Sequence, residues 1–196
     1  MVSDDLIGVL PRSYWLRAPP SMFLGYPNSS DAWNPFYVPE NPRRLAPATF
    51  GTWVTSYYKH PAFSERQKTK TLTPASFSQH TPEQQYRLPT TDTISADELD
   101  GVLDPVPNER SERFYFDMSS SMMHAQLGKA MLGAEGAILP HLKVDYVFGQ
   151  EDVWLVTWAA CEFERDLERW RIDGEHVRPT KIHSVPGANH MVSFSS

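Results

Sequence analysis

The spacing of hydrophobic and polar residues in the second half of the chain changes twice, from that of a strand to that of a helix and back to that of a strand. Residues 143–149 (KVDYVFG) place apolar residues at nearly every second position and end in a glycine, which predicts a strand followed by a turn. Residues 153–170 are apolar throughout their first half, and then keep a helical stripe of Phe163, Leu167 and Trp170 among charged residues. Residues 178–185 predict a second strand. This strand–helix–strand order is typical of a parallel βαβ unit, and residues 119–132 predict a further helix before it.

The first half of the chain has a different character. Most of the 17 prolines lie before residue 110, among aromatic and turn residues, which predicts a loop-rich region with short elements. Apolar side chains recur at helical spacing over residues 47–59, Thr81-Pro82 can open a second helix, and residues 90–113 suit a surface connection with a short helix. We therefore divide the chain into a cap-like region, 1–113, and an α/β region, 114–196.

Composition narrows the class of protein. The chain has 196 residues and a net charge of -6 without a long acidic run, which does not favour nucleic acid or an anionic membrane as partner. Its single cysteine, Cys161, cannot form an internal disulfide, so we expect a reducing, cytoplasmic compartment. Residues 1–10 lack the features of a signal peptide, and no apolar run approaches the roughly 20 residues of a transmembrane helix.

Two residues in the α/β region are candidates for catalysis. Asp152 follows the first predicted strand and His190 follows the second, and the loops beyond the carboxyl ends of adjacent parallel strands lie side by side. A carboxylate that faces an imidazole fixes its tautomer and stabilises its charged form, as a general base requires. Each residue also has a simpler interpretation, because Asp152 can cap the helix that follows it and His190 can be a surface turn residue.

These two turns resemble those of a known family. Residues 147–152 (VFGQED) resemble the G-x-x-D turn after strand seven of α/β-hydrolases, and residues 186–192 (PGANHMV) resemble the turn that carries the histidine of that family. The acid precedes the histidine here, as in the family. The aromatic-rich first region is similar to a cap inserted after the sixth strand, and with the tryptophan-bearing helix it is most similar to fungal hydrolases.

The resemblance implies a partial α/β-hydrolase fold: a helical and loop-rich cap, followed by a strand–helix–strand unit of a parallel sheet. It also implies an enzyme in which His190 is the general base and Asp152 its orienting acid. Such an enzyme hydrolyses an ester or a related acyl or epoxide bond of a fairly apolar small molecule, without an organic cofactor or a metal.

The sequence departs from the family where the nucleophile should be. No two glycines are four residues apart around a Ser, Asp or Cys, so the G-x-S-x-G elbow is missing. We therefore expect a fragment or shortened relative that would need about 150 more residues on its N-terminal side, the usual first half of such a domain. A complementing chain or a second copy is then the expected partner. The alternative is a non-catalytic binding or interaction protein derived from the same fold.

A truncated sheet would also expose apolar residues, because parallel strands are normally buried on both faces. We expect this exposure at the side chains that would have faced the missing part, which are Val144, Tyr146, Phe148, Ile182 and Val185.

Other candidate residues have structural explanations. Cys161 lies in the middle of a predicted helix without a basic neighbour and is expected to be a packed small residue. Residues 119–121 (SSS) are expected to cap a helix. The remaining histidines show no close ligand spacing, so we expect no metal site, although His124 and His141 can approach each other. Two roles stay open for one set of aromatic residues, the core of the cap or the lining of an apolar substrate pocket: Trp15, Phe23, Tyr26, Trp33, Phe36 and Tyr37.

Overall fold

A computed structural model describes residues 13–16, 24–27, 47–64, 72–73, 77, 86–102, 118–133 and 142–191. Within these residues the fold is of the α/β class. It contains the strands β1 (Ser13–Leu16), β2 (Lys143–Gly149) and β3 (Thr180–Val185), the helices α1 (Pro47–Thr55), α2 (Pro61–Ser64), α3 (Ala96–Val102), α4 (Ser120–Met131) and α5 (Trp154–Ile172), and the 3-10 helix Thr90–Asp92.

The three strands form one parallel sheet in the order β1-β2-β3. The pairing of β2 with β3 sets Tyr146 opposite Ile182, and α5 connects the two strands. This confirms the predicted strand–helix–strand unit. The sequence analysis did not predict β1, whose four residues pair with the other edge of β2, from Ser13 opposite Lys143 onward. The division at residue 113 stays a prediction. Strand β1 belongs to the first of the two regions but pairs with β2 of the second.

One face of the sheet is packed against α5. Tyr146 and Phe148 are 1% and 5% exposed, and the Tyr146 ring lies 5.7 Å from the Phe163 ring of α5, centroid to centroid. Val144 and Ile182 also pack against this core, so the exposure predicted at these four residues is wrong, whereas Val185 lies on the opposite face and is half-buried. The reason is that α5 and the aromatic side chains of the first half cover this face.

The opposite face of β2 and β3 is polar. Side chains alternate between the two faces of a strand, so the residues next to the buried positions point away from α5. Lys143, Lys181 and His183 are exposed there, and Asp145 is half-buried. Among the described residues, this face therefore combines charged side chains with the half-buried Val147 and Val185, where parallel sheets normally have a second apolar layer.

Helix α5 begins and ends close to the predicted range of 153–170. Val153 is its N-cap, and Asp173 is its C-cap, with its N–H bonded to the carbonyl of Arg169. Gly174 follows with a φ of 80°, the left-handed conformation that often ends helices. The buried residues of α5 include Leu155, Phe163 and Trp170, which together fill the centre of the core.

Helix α1 is shorter than the predicted range of 47–59. The hydroxyls of Thr55 and Ser56 donate to the carbonyls of the preceding turn, at 2.8 Å and 2.5 Å, and side-chain bonds of this kind compete with the helix. The N–H of Tyr58 then bonds to the carbonyl of Glu151 at 3.0 Å. This bond carries the chain out of the helix and across to the end of β2.

The connection between residues 90 and 102 contains α3, as predicted for this stretch. Ser95 and Glu98 form a capping box, because the Ser95 N–H donates to Glu98 Oε2 at 2.9 Å and the Glu98 N–H donates to Ser95 Oγ at 3.3 Å. The bonds that the Ser95 N–H and hydroxyl donate to the Glu98 carboxylate lower its pKa. The helix predicted at Thr81-Pro82 lies outside the described residues.

Helix α4 begins with the cap expected from the serine run. Ser119 is its N-cap, and its hydroxyl accepts from the N–H of Met122 at 3.2 Å. The segment around Tyr26 then joins α4 to α5: the Tyr26 hydroxyl donates to Asp166 Oδ2 at 2.9 Å, and His124 lies 3.5 Å from the same oxygen. Burial and the negative charge of Asp166 raise the pKa of Tyr26. Of the aromatic residues with two open roles, Tyr26 thus belongs to the core.

Candidate functional site

The turns that follow β2 and β3 are bonded to each other through their backbones. The N–H of Gln150 donates to the carbonyl of Val185 at 3.0 Å, and the N–H of Glu151 donates to the carbonyl of Ala188 at 2.9 Å. Gly149 permits this approach, because a Cβ at this position would overlap the carbonyl oxygen of Ala188. Asp152 and His190 therefore stand on two turns that form one unit at the carboxyl edge of the sheet.

Asp152 is 2% exposed, and both of its carboxylate oxygens have partners. Oδ1 accepts from the N–H of Val153 at 2.7 Å, and Oδ2 accepts from Nδ1 of His190 at 3.2 Å. The predicted proximity of the two side chains is confirmed. Asp152 is not the N-cap of α5, since it lies one residue before the N-cap and bonds to the N–H of that residue.

The contact with Asp152 decides the protonation pattern of the His190 ring. A carboxylate oxygen only accepts, so Nδ1 carries a proton, and in the neutral ring Nε2 is then the nitrogen that can accept one. The His190 side chain is 25% exposed while that of Asp152 is 2% exposed. A buried acid behind a partly accessible imidazole is the arrangement of a general base with its orienting carboxylate.

A second histidine–aspartate pair lies on the polar face of the sheet. His183 Nε2 is 2.7 Å from Asp145 Oδ1, and the two residues are 38 positions apart, the same separation as between His190 and Asp152. Both members stand on the strands themselves, and the side chains are 46% and 24% exposed. Ion pairs in this setting have little energy, because water solvates both groups. Sequence separation alone therefore does not distinguish the two pairs, whereas burial and position at the sheet edge do.

Residues from the first half of the chain hold the two turns in place. The N–H of Tyr58 donates to the carbonyl of Glu151 at 3.0 Å, and Nε2 of His60 donates to the carbonyl of Asp152 at 2.6 Å. His60 is 3% exposed, with its ring edge-on to Phe77. The sequence analysis considered His60 only as a metal ligand, and no local signal pointed to its contact with the turn of Asp152.

Asn189, next to the candidate base, has no exposed surface. Its Nδ2 donates to Oγ1 of Thr90 at 2.9 Å and to the carbonyl of Thr55 at the end of α1. Its Oδ1 accepts from the N–H of Met191 at 2.9 Å. The sequence analysis included Asn189 only as a turn residue, although a buried asparagine beside a candidate base is the kind of residue that fixes a turn.

An aromatic and charged rim lies beside the two turns. The Tyr86 hydroxyl donates to Glu151 Oε2, and Nζ of Lys59 lies 4.4 Å from the centre of the Tyr86 ring. Partial burial and the bond to Glu151 raise the pKa of Tyr86 to about 12. Arg87 stacks over Tyr57 at 4.0 Å and donates to the carbonyl of Gly187 at 3.3 Å. The turn of the acid and the turn of the base thus each have a neighbour from residues 86–87.

Tyr146 lies in the core near Asp152. Burial raises the pKa of its hydroxyl, and the negative charge of Asp152 adds to this effect. The phenol therefore stays protonated at neutral pH and well above it. The same reasoning applies to Cys161, which is 2% exposed: burial raises the pKa of its thiol to about 12, so it is the packed small residue that the sequence analysis predicted.

Among the described residues, no three His, Cys, Asp or Glu side chains are grouped closely enough to hold a metal ion. His124 contacts Asp166, and His141 lies outside the described part of the chain. None of the helices in that part has the length and apolar composition that crossing a membrane requires.

The site therefore consists of a buried carboxylate, a partly exposed imidazole bonded to it, and a supporting layer from residues 55–60 and 90. Such a group can accept a proton from a hydroxyl, a thiol or water and return it to a leaving group. No family model, curated protein or solved structure matches the chain.

Proposed function

We propose that Asp152 and His190 are the orienting acid and the general base of a hydrolase of the α/β-hydrolase type. Its substrate is an ester, or a related compound, of a fairly apolar small molecule. The observation that carries the proposal is the 3.2 Å contact between the buried Asp152 carboxylate and His190 Nδ1, at the carboxyl edge of two adjacent parallel strands. This contact directs Nε2 to the chemistry, which is the role of the base in acyl transfer.

The nucleophile of this hydrolase lies outside this sequence. The sequence has no G-x-S-x-G elbow, and a base can activate only a nucleophile that is held against it. The purified chain is therefore expected to hydrolyse p-nitrophenyl butyrate no faster than its His190→Ala variant. A clear loss of turnover in His190→Ala would contradict this prediction and would place the nucleophile or an activated water within this chain.

The proposed function is tested on the protein together with its bound partners, isolated from the cells that make it. A fluorophosphonate probe reacts covalently with a serine that a histidine base has activated. We expect labelling of the wild-type preparation, and a loss of about 10²-fold or more with His190→Ala, in the range that general bases contribute. His183→Ala is the matched control, because it removes a carboxylate-paired histidine on the exposed face of the sheet, and it should label like the wild type.

Two outcomes would refute the hydrolase. One is equal labelling of the wild-type and His190→Ala preparations, which would mean that the labelled serine does not depend on this base. The other is the absence of labelling in all preparations. Either result would leave the non-catalytic binding protein as the remaining function.

A further inference from the structure

The side chain of Asn189 makes three hydrogen bonds that determine its orientation. The carbonyl of Thr55 only accepts, so the amide NH₂ faces it, and the N–H of Met191 only donates, so the amide oxygen faces that group. The second amide N–H reaches Oγ1 of Thr90. A fully buried amide whose donors are all used is expensive to disturb, because each lost bond leaves a desolvated polar group.

These bonds fix the backbone on either side of His190, at Asn189 and Met191. The contact from Met191 N–H to Asn189 Oδ1 spans residue 190, so His190 is the middle residue of an Asx turn. One residue earlier, the carbonyl of Ala188 accepts from Glu151 in the turn of the acid. The position of the imidazole is thus set relative to the acid on one side and relative to α1 and Thr90 on the other.

Thr90 is the less obvious partner of this pair. It is 4% exposed and belongs to the 3-10 helix, 99 residues before Asn189 in sequence. Its Oγ1 also lies 3.3 Å from the hydroxyl of Tyr57. The neighbouring Thr91 has the same side chain, and its hydroxyl bonds instead to the hydroxyl of Thr55, at 3.1 Å. Replacing Thr90 by valine therefore removes a hydrogen bond of Asn189, whereas the same replacement at Thr91 removes a hydrogen bond of Thr55.

We infer that Asn189, held by Thr90, is a positioning residue for the general base: it keeps His190 Nδ1 on Asp152 and so keeps the proton off Nε2. The effect of Asn189 on catalysis rests on the proposed function. Its effect on the orientation of the His190 ring rests on the hydrogen bonds alone. A shift of about 1 Å in a reacting group can lower the rate about 100-fold, so a loosened His190 turn should lower the rate constant of labelling.

The test uses the full chain with Thr90→Val, Thr90→Ser and Thr91→Val. Two-bond and three-bond proton–nitrogen NMR of the His190 ring reports which nitrogen carries the proton. We expect the wild type, Thr90→Ser and Thr91→Val to keep the proton on Nδ1, since each retains the bond from Asn189 to residue 90. Thr90→Val should show a mixture of the two tautomers.

The same variants are then labelled with the fluorophosphonate probe in the partner-bound preparation. Thr90→Val is expected to lower the rate constant at saturating probe by about 10- to 100-fold with little change in probe affinity, and Thr91→Val to leave both unchanged. If Thr90→Val does not fold, Asn189→Ser replaces it, because serine keeps an acceptor for the Met191 N–H and removes both amide donors. Melting curves establish that each variant compared is folded.

A wild-type tautomer and a wild-type labelling rate in folded Thr90→Val or Asn189→Ser would overturn the inference. This result is distinguishable from a failure of the proposed function. If His190→Ala labels like the wild type, the hydrolase is refuted, while the tautomer of Thr90→Val still decides whether Asn189 positions the ring.

Discussion

The substitution Asp152→Asn tests the site most directly, because the structure fixes how the new amide must be oriented. In the wild type, Oδ1 accepts from the N–H of Val153 at 2.7 Å. Only the oxygen of an amide can take that position, so its NH₂ group must face His190. A donor then meets Nδ1, and the imidazole has to accept through Nδ1 and carry its proton on Nε2.

The expected effects on catalysis and on stability differ in size. The reversed tautomer leaves no lone pair on Nε2, and in a serine protease triad the equivalent change lowers kcat by about 10⁴. We expect a loss of this order in fluorophosphonate labelling. Folding should suffer little, since one bond to a charged group becomes a neutral one of the same shape, a difference of about 1 kcal/mol.

The assays are ring-nitrogen NMR of His190 for the tautomer, labelling for the base, and urea unfolding for stability. Asp145→Asn is the matched control, because it makes the same change in the exposed pair with His183. The reasoning would be refuted if Asp152→Asn were labelled as fast as the wild type, or if the proton of the His190 ring stayed on Nδ1 in this variant. Loss of labelling in Asp145→Asn as well would show that the effect does not come from the site.

Three further predictions concern the support of the site and its surroundings. Gly149→Ala should lower the free energy of unfolding by about 1–3 kcal/mol, because its Cβ overlaps the Ala188 carbonyl, and urea denaturation would measure it. The lowered pKa of Glu98 means that its contribution to stability is present above the ordinary pKa of a glutamate and is lost as the pH falls through the lowered pKa; Glu98→Gln should flatten the dependence of Tm on pH over this acidic range, and an unchanged profile would contradict it. Tyr86 should titrate near pH 12, and Glu151→Gln should bring its ultraviolet titration closer to that of a free tyrosine; a midpoint unaffected by the substitution would show that the bond does not form.

The parts of the fold that the sequence predicted are those with a strong local period. Strands β2 and β3 alternate and α5 keeps a helical stripe, so their limits were predicted to within about two residues, as helix ends allow. Strand β1 was not predicted, because four residues are too few to show a period and their pairing depends on β2. The end of α1 was placed too late, because Tyr57 and Tyr58 continue the helical spacing while the backbone of Tyr58 bonds to a turn far along the chain.

The candidate site divides in the same way. The proximity of Asp152 and His190 followed from chain order and from the rule that loops at the carboxyl ends of adjacent parallel strands lie together. The supporting residues His60, Thr90 and Asn189 followed from neither. Their partners are 92 or 99 residues away in sequence, and no local pattern encodes a contact of that kind.

The backbone bonds between the two turns have a consequence for how the protein loses its site on heating. Gln150 and Glu151 donate to residues of the turn after β3, so the two turns cannot separate until these bonds break. The same two strands hold much of the core, and their opening is part of global unfolding. The amide protons of Gln150 and Glu151 should therefore exchange as slowly as those of the sheet interior. The spacing of the two turns is then a cooperative property of the fold, lost in the same transition as the sheet.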